Sequence, residues 1–323
     1  MSRVAIVRCE DYDKERVSDA VAQALEALGG AAQFATETDG LLLKPNILKG
    51  APPESALTTH PEILRAVAEQ FQNMATPPRK ISMGDSPAWG SLAACAEQTG
   101  LSRVCEELRI PLVTFRKGVK VPNPDGVVYA HLTMAKEAMD ADGIINLPKL
   151  KTHCQLYMTG AVKNLFGCVA GKRKAWWHFK AGTFEDYFPL MLVETARLLK
   201  TRLSVLDAVF AMEGQGPAQG TPRKVGLIIA SADPVALDRV ACEVTGLSSE
   251  KLRTLEAARV TGFGETDLNK IDVVGLPLEE AKLSSPLVEP RMIPIGFSIP
   301  RVVKSTLKQQ WLTRVREPLQ KVS

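Results

Sequence analysis

The chain has 323 residues, with 40 Lys and Arg against 36 Asp and Glu, a formal net charge of +4, and 45% hydrophobic residues. These values sit near the globular average and exclude a disordered chain, a collagen and a disulfide scaffold, while the length suits one large domain or two ordinary ones. A charge this mild does not suggest a nucleic-acid binder.

No apolar run reaches the roughly 18 residues of a membrane span, and the N-terminus lacks the long apolar region of a signal peptide. The six cysteines, at 9, 95, 105, 154, 168 and 242, contain no CxxC pair, so reduced thiols in a cytoplasmic protein are expected.

Arg3–Arg8 reads as a strand. Lys14–Leu28 carries apolar residues at 17, 20, 21, 24, 25 and 28, the spacing of a helix that Gly29-Gly30 ends. Gly40–Lys44 is a second strand. Pro61–Met74 is a helix with Thr59 or His60 as its cap and Pro61 at the favoured first position. Lys80–Gly84, Pro111–Phe115 and Gly143–Leu147 are further strands, with helical segments between Ser91 and Leu108. Phe184–Leu199 is a helix. Leu203–Leu206, Val225–Ser231 and Lys270–Gly275 are strands, and helices lie near Pro234–Thr245 and Ser249–Val260. This alternation predicts an α/β domain over residues 1–283, of one or two lobes, with a mainly parallel sheet and helices on both faces. Residues 284–300, with four prolines, read as a linker, and 301–323 as a basic amphipathic helical tail.

Ligands of such sheets bind beyond the carboxyl ends of the strands. Here those ends carry Lys44-Pro45-Asn46, Asp85-Ser86, the run Lys149-Leu150-Lys151-Thr152-His153, and Asp207 with Glu213 and the glycines Gly214 and Gly216. From Gly143 to Phe184 no acidic residue occurs in 42 positions that hold seven Lys and Arg. A segment so depleted of carboxylates is expected to face an anion. Lys163-Asn164, set among small residues, suits close approach to a phosphate or carboxylate. His153, beside two lysines, is held neutral and suits a base or a metal ligand, though the same charges disfavour a divalent cation there. Thr59 and His60 present polar groups at a helix N-terminus. Lys172-Arg173-Lys174 followed by Trp176, Trp177 and His178 resembles a stacking platform, yet a solvated face is the simpler reading and no nucleic acid is expected.

The strings KPNIL (44–48), LTTHPE (57–62), GDSP (84–87), INLPKLKTH (145–153), TGAVKNLFGCVAG (159–171), AMEGQGP (211–217) and SADPVALD (231–238) occur in this order. Together they closely resemble the domain of unknown function 362 family, over about residues 3–275. The resemblance implies an α/β domain of largely unassigned biochemistry, often fused to a ferredoxin-type module with two cysteine quartets. This chain has no cysteine after Cys242, so the fused module's [4Fe–4S] clusters are not expected.

The expected function is an enzyme, metal- or redox-linked and of unknown reaction, that binds a small anionic ligand at the sheet's carboxyl edge. His153, Asp85 and Lys151 would be catalytic. Lys44, Asn46, Thr59, His60, Lys149, Thr152, Lys163, Asn164, Gly214 and Gly216 would bind the ligand. Asp207 and Glu213 would hold a divalent metal, the one candidate cofactor. The alternative is a non-catalytic accessory protein that carries a cofactor or metal and docks through its tail on a redox partner or a membrane surface.

Overall fold

In a computed structural model, residues 1–169, 186–295 and 307–317 are described. The basic run at 172–174, Trp176, Trp177 and His178 lie outside them.

The strands are β1 (Ser2–Arg8), β2 (Gly40–Pro45), β3 (Lys80–Asp85), β4 (Leu112–Thr114), β5 (Gly118–Pro122), β6 (His131–Ala135), β7 (Gly143–Leu147), β8 (Lys149–His153), β9 (Tyr157–Thr159), β10 (Thr201–Glu213), β11 (Thr221–Ser231) and β12 (Ile271–Gly275). Ten of them form one sheet in the order β12-β1-β11-β10-β7-β2-β3-β4, with β8 attached to β10 and β9 to β8. The sheet is mixed with mostly parallel pairs: β11 runs antiparallel to both β1 and β10, and β9 antiparallel to β8. β5 and β6 pair separately.

Alternation along each strand divides the core. Ala5, Leu41, Leu43, Ile145, Leu203 and Val205 face one apolar cluster, covered by the helices Lys14–Ala27 and Pro61–Gln72. Val4, Ile6, Leu42, Ile144, Leu206 and Ile229 face the other, covered by the helices Tyr187–Leu198 and Pro234–Thr245. A sheet buried on both faces needs such near-continuous apolar strands. Helix starts follow local chemistry: the side chains of Asp13, His60 and Asp233 each accept a backbone N–H of the first turn, satisfying donors that the helix cannot pair itself.

Three expectations change. Lys149–His153, expected as a polar exit from β7, is a strand with every residue buried. β10 does not stop at Leu206 but runs on to Glu213. The described part of the proline-rich segment is a strap and not a free linker. Leu287 N bonds Thr245 O (3.0 Å), Ile293 N bonds Cys154 O (2.8 Å), and Gln155 Nε2 donates to the carbonyls of Pro294 and Ile295. Of the tail, residues 307–317 are helical and lie on the 89–91 loop. Gln309 pairs with both Gly90 N and Gly90 O, and Glu317 accepts from Ser91 N. No helix among the described residues is long and apolar enough to cross a membrane.

Candidate functional site

β2, β3, β7 and β8 converge at one edge and deliver three lysines into the interior. Lys44, Lys149 and Lys151 are 0%, 1% and 1% exposed. A buried ammonium is costly unless it is paired, so their partners decide what the site can do.

Lys44, near the end of β2, lies 2.9 Å from Asp85 Oδ1 at the end of β3 and also donates to Pro45 O (2.7 Å). Asp85 accepts further from Ile47 N and Ser86 N. Gly167 packs on this pair. A Cβ there would meet Asp85 Oδ1 at 2.4 Å and Lys44 Nζ at 2.5 Å, so no larger residue fits without breaking the contact.

Lys149 lies 2.9 Å from Asp207 Oδ1 and donates to Tyr12 Oη (2.5 Å). Tyr12 in turn donates to Asp207 Oδ1 (2.8 Å), while Asp207 Oδ2 accepts from His60 N (2.9 Å). The His60 ring stacks on Tyr12 with centroids 3.6 Å apart. Burial holds the His60 imidazole down at about pKa 4; Asp207 opposes this and Lys149 reinforces it. His60 is therefore neutral at pH 7. Its Nδ1 accepts Glu62 N as the helix cap, which puts its proton on Nε2.

Lys151 differs. Its Nζ donates to Asn46 Oδ1 (2.7 Å) and Leu57 O (2.8 Å), and it forms no ion pair among the described residues. Burial, then the charges of Lys163 and Lys149, drive its pKa well below the usual lysine range; Asp85 opposes them. The orientation of Asn46 is fixed by a relay of amides. Asn46 Nδ2 donates to Asn164 Oδ1, Asn164 Nδ2 to Asn146 Oδ1, and Asn146 Nδ2 to Ser204 Oγ. Asn46 thus has only its oxygen to offer Lys151. Thr159 stands directly opposite Lys151 in the β8–β9 pair, so the two side chains share a face. Among the described residues Thr159 Oγ1 is buried without a hydrogen-bond partner, as is Thr58 Oγ1.

The structure brings Lys44, Asn46, Lys149, Lys151 and Asn164 together, with Thr59 donating to Leu147 O close by. Half-buried Lys163 is near enough to depress Lys151. Other expected residues serve elsewhere. Asp85, expected as catalytic, is occupied by Lys44 and two backbone donors. His153 Nδ1 accepts Gln155 N and Leu156 N, so this nitrogen is not an available base. Thr152 points to the opposite face and donates to Gly214 O (2.8 Å). Gly216 packs against Thr152 O, where a Cβ would stand 2.0 Å away. Gly214 N and the Glu213 carboxylate both grip Val288 of the strap. Asp207 and Glu213 lie six positions apart on one strand, about 20 Å, and each is bonded to a different element. They do not form one metal site. No group of three or more His, Cys, Asp and Glu side chains among the described residues could hold a metal ion.

Sequence reading missed Tyr12 and Asn146, and took Thr159 and Gly167 only as ends of the small-residue stretch around Lys163-Asn164. Asn146 had a signal, as a lone polar residue in the apolar strand GIINL. Tyr12 had only its place after the carboxyl end of β1.

Comparison with known proteins places the chain. It is 42% identical over 328 residues to the Thylakoid-associated protein sll1697 of Synechocystis sp., covering 98% of this chain and 97% of that one. Among solved structures it is similar to a Thermotoga maritima protein (TM-score 0.42, 11% identity, 79% of this chain and 60% of that one). It is also similar to the lactate racemase apoprotein of Thermoanaerobacterium thermosaccharolyticum (TM-score 0.47, 12% identity, 76% and 57%). The chain spans about three fifths of the length of these two structures. The family described as Domain of unknown function (DUF362) matches residues 41–243, which contain every lysine and amide of the cluster described above. The chain belongs to the domain of unknown function 362 family.

Proposed function

We propose that this protein binds a small anionic ligand, carrying a phosphate or a carboxylate, beside Lys151 at the carboxyl ends of β2, β3 and β7. One observation carries the reading: three buried lysines face two carboxylates. Asp85 compensates Lys44 and Asp207 compensates Lys149, while Lys151 meets only neutral oxygens among the described residues. An entering anion supplies the missing charge and draws a proton onto Lys151. Lys163 adds positive charge, and the partnerless hydroxyls of Thr159 and Thr58 add hydrogen-bonding capacity.

The test is titration calorimetry with inorganic phosphate and with oxalate, in two buffers of different ionisation enthalpy. Binding with proton uptake is expected, and its loss in Lys151→Met. No binding of either anion, or binding unchanged in the variant, refutes the site. Burial pushes Cys9, Cys95 and Cys105 up to about 12, the wrong direction for thiolate chemistry.

A second reading concerns the tail. Leu307 and Trp311 are 60% and 54% exposed, one helical turn apart, on a helix that also carries Lys308, Arg314 and Arg316. We propose that this face makes peripheral contact with an anionic membrane surface. The thylakoid association named for the relative from Synechocystis, which is similar over nearly its whole length, agrees with this. Cosedimentation with anionic but not neutral vesicles is expected, and its loss in Trp311→Ser. Equal recovery of that variant with anionic vesicles refutes the contact.

A further inference from the structure

We infer that Lys151 is a nucleophilic amine that condenses with the carbonyl carbon of an oxo acid, the anion of the proposed site. This rests on the anion-site reading and adds a covalent step to it.

The geometry around Nζ matches a neutral amine. An ammonium has three N–H donors; an amine has two and a lone pair. Two acceptors are present, Asn46 Oδ1 at 2.7 Å and Leu57 O at 2.8 Å, and no carboxylate among the described residues stands ready for a third proton. The amide relay through Asn164 and Asn146 keeps Asn46 from turning its NH2 toward the lysine. The two N–H bonds are therefore held in place and the lone pair is directed away from both acceptors. Burial and the neighbouring cations Lys163 and Lys149 favour the unprotonated form, the arrangement that activates a lysine toward carbonyl groups.

The residue type agrees. A site that only holds a carboxylate or phosphate gains from the bidentate fork of arginine, yet Lys44, Lys149, Lys151 and Lys163 are all lysines. Among the described residues only Lys151 of the three buried lysines has no carboxylate partner.

The step balances without a further reagent. The Lys151 nitrogen attacks the carbonyl carbon, and the π pair moves to oxygen. The proton released from nitrogen passes to that oxygen and gives a carbinolamine. Loss of the hydroxyl with one proton from solvent, as water, leaves a protonated imine. The sum is amine plus oxo acid plus one proton, giving iminium plus water. The iminium carries a positive charge that the neutral amine did not, and the ligand's own carboxylate neutralises it. This accounts for a third lysine in a site built with two aspartates. Thr159, across the β8–β9 pair on the same face, offers a partnerless hydroxyl to the oxygen that leaves.

The experiment uses the full chain with glyoxylate and sodium cyanoborohydride at neutral pH, followed by peptide mapping. Oxalate binding is measured in parallel by calorimetry. The expected result is one carboxymethyl adduct at Lys151, formed about tenfold or more faster than at any exposed lysine, since each unit of lowered pKa gives about ten times more free amine. Oxalate should block it and Lys151→Arg should lose it. Oxalate binding without an adduct at Lys151, or labelling spread evenly over exposed lysines, overturns the nucleophile and leaves the anion site standing. Labelling of Lys151 with no oxalate binding overturns the anion site and with it the oxo-acid assignment. The wild-type map alone decides these outcomes if the arginine variant fails to fold.

Discussion

Lys151→Met tests the protonation state of the buried amine through stability. Methionine keeps an unbranched apolar stem of similar length and removes Nζ. Two effects oppose each other at a single pH. The variant no longer buries an amine beside Lys149 and Lys163, but Asn46 Oδ1 and Leu57 O each lose a buried donor, at about 1–3 kcal/mol apiece. The slope with pH separates them. Burial, Lys163 and Lys149, with a smaller push from Lys44, hold the folded pKa well below 10.5, against Asp85; the unfolded chain returns it to about that value. Between the two values the unfolded chain binds a proton that the folded chain does not. Stability must therefore rise with pH across this window, by up to about 1.4 kcal/mol per unit, and level off above the unfolded value. Urea unfolding at intervals from pH 7 to pH 10 gives both curves. Every other ionisable group is common to both proteins, so the difference between the curves reports on Lys151. The wild type should gain on the variant as pH rises. Parallel curves would mean that Lys151 stays protonated when buried, and would refute the neutral amine.

Gly167→Ala puts a Cβ 2.4 Å from Asp85 Oδ1, so the Lys44–Asp85 pair must shift; a loss of about 1–3 kcal/mol by denaturant unfolding is expected. Asp207→Asn leaves Lys149 buried without its counter-charge. It should cost about 3–5 kcal/mol, read as a large fall in denaturant midpoint. Asp238, which accepts Ala161 N and Val162 N, is raised by burial from 3.8 to about 7. Its contribution is full below the unfolded value and is lost as pH rises toward 7, because there the folded chain holds a proton that the unfolded chain lacks. Unfolding curves at pH 4 to 7 should therefore show the wild type losing up to about 1.4 kcal/mol per unit relative to Asp238→Asn.

The fold was legible where one rule governed a segment. β1, β2 and β7 are apolar runs buried on both faces, and His60-Pro61 and Asp233-Pro234 are helix starts whose caps and prolines act locally. β8 was not legible because Lys149, Lys151 and His153 alternate as polar residues on a face that turns inward. Hydropathy reads such a pattern as solvent-facing, and only the partners supplied by β2, β10 and the 57–60 loop reverse it. β10 was cut short at Asp207 for the same reason. A carboxylate reads as a strand end, yet Lys149, Tyr12 and His60 N make it tolerable inside the sheet. The glycines at 214 and 216 read as a ligand loop, but one grips the strap and the other admits the Thr152 carbonyl, a distinction that depends on a segment some 70 residues away.

The charge pattern has a structural cause. The stretch from Gly143 to Phe184 lacks carboxylates, yet its described lysines are not simply displayed to solvent. Their counter-charges come from outside it: Asp207 from β10 pairs with Lys149, and Asp85 from β3 lies close enough to act on Lys151 while holding Lys44. Asp238, from the helix Pro234–Thr245, likewise caps the backbone at Ala161 and Val162. A carboxylate within the stretch, at Thr159 for example, would sit opposite Lys151 and complete the pairing from within the protein. The chain places a neutral hydroxyl there and leaves one lysine of three uncompensated. An isolated buried amine of this kind lowers stability, and the proposed anion, by completing the charge, would offset that cost.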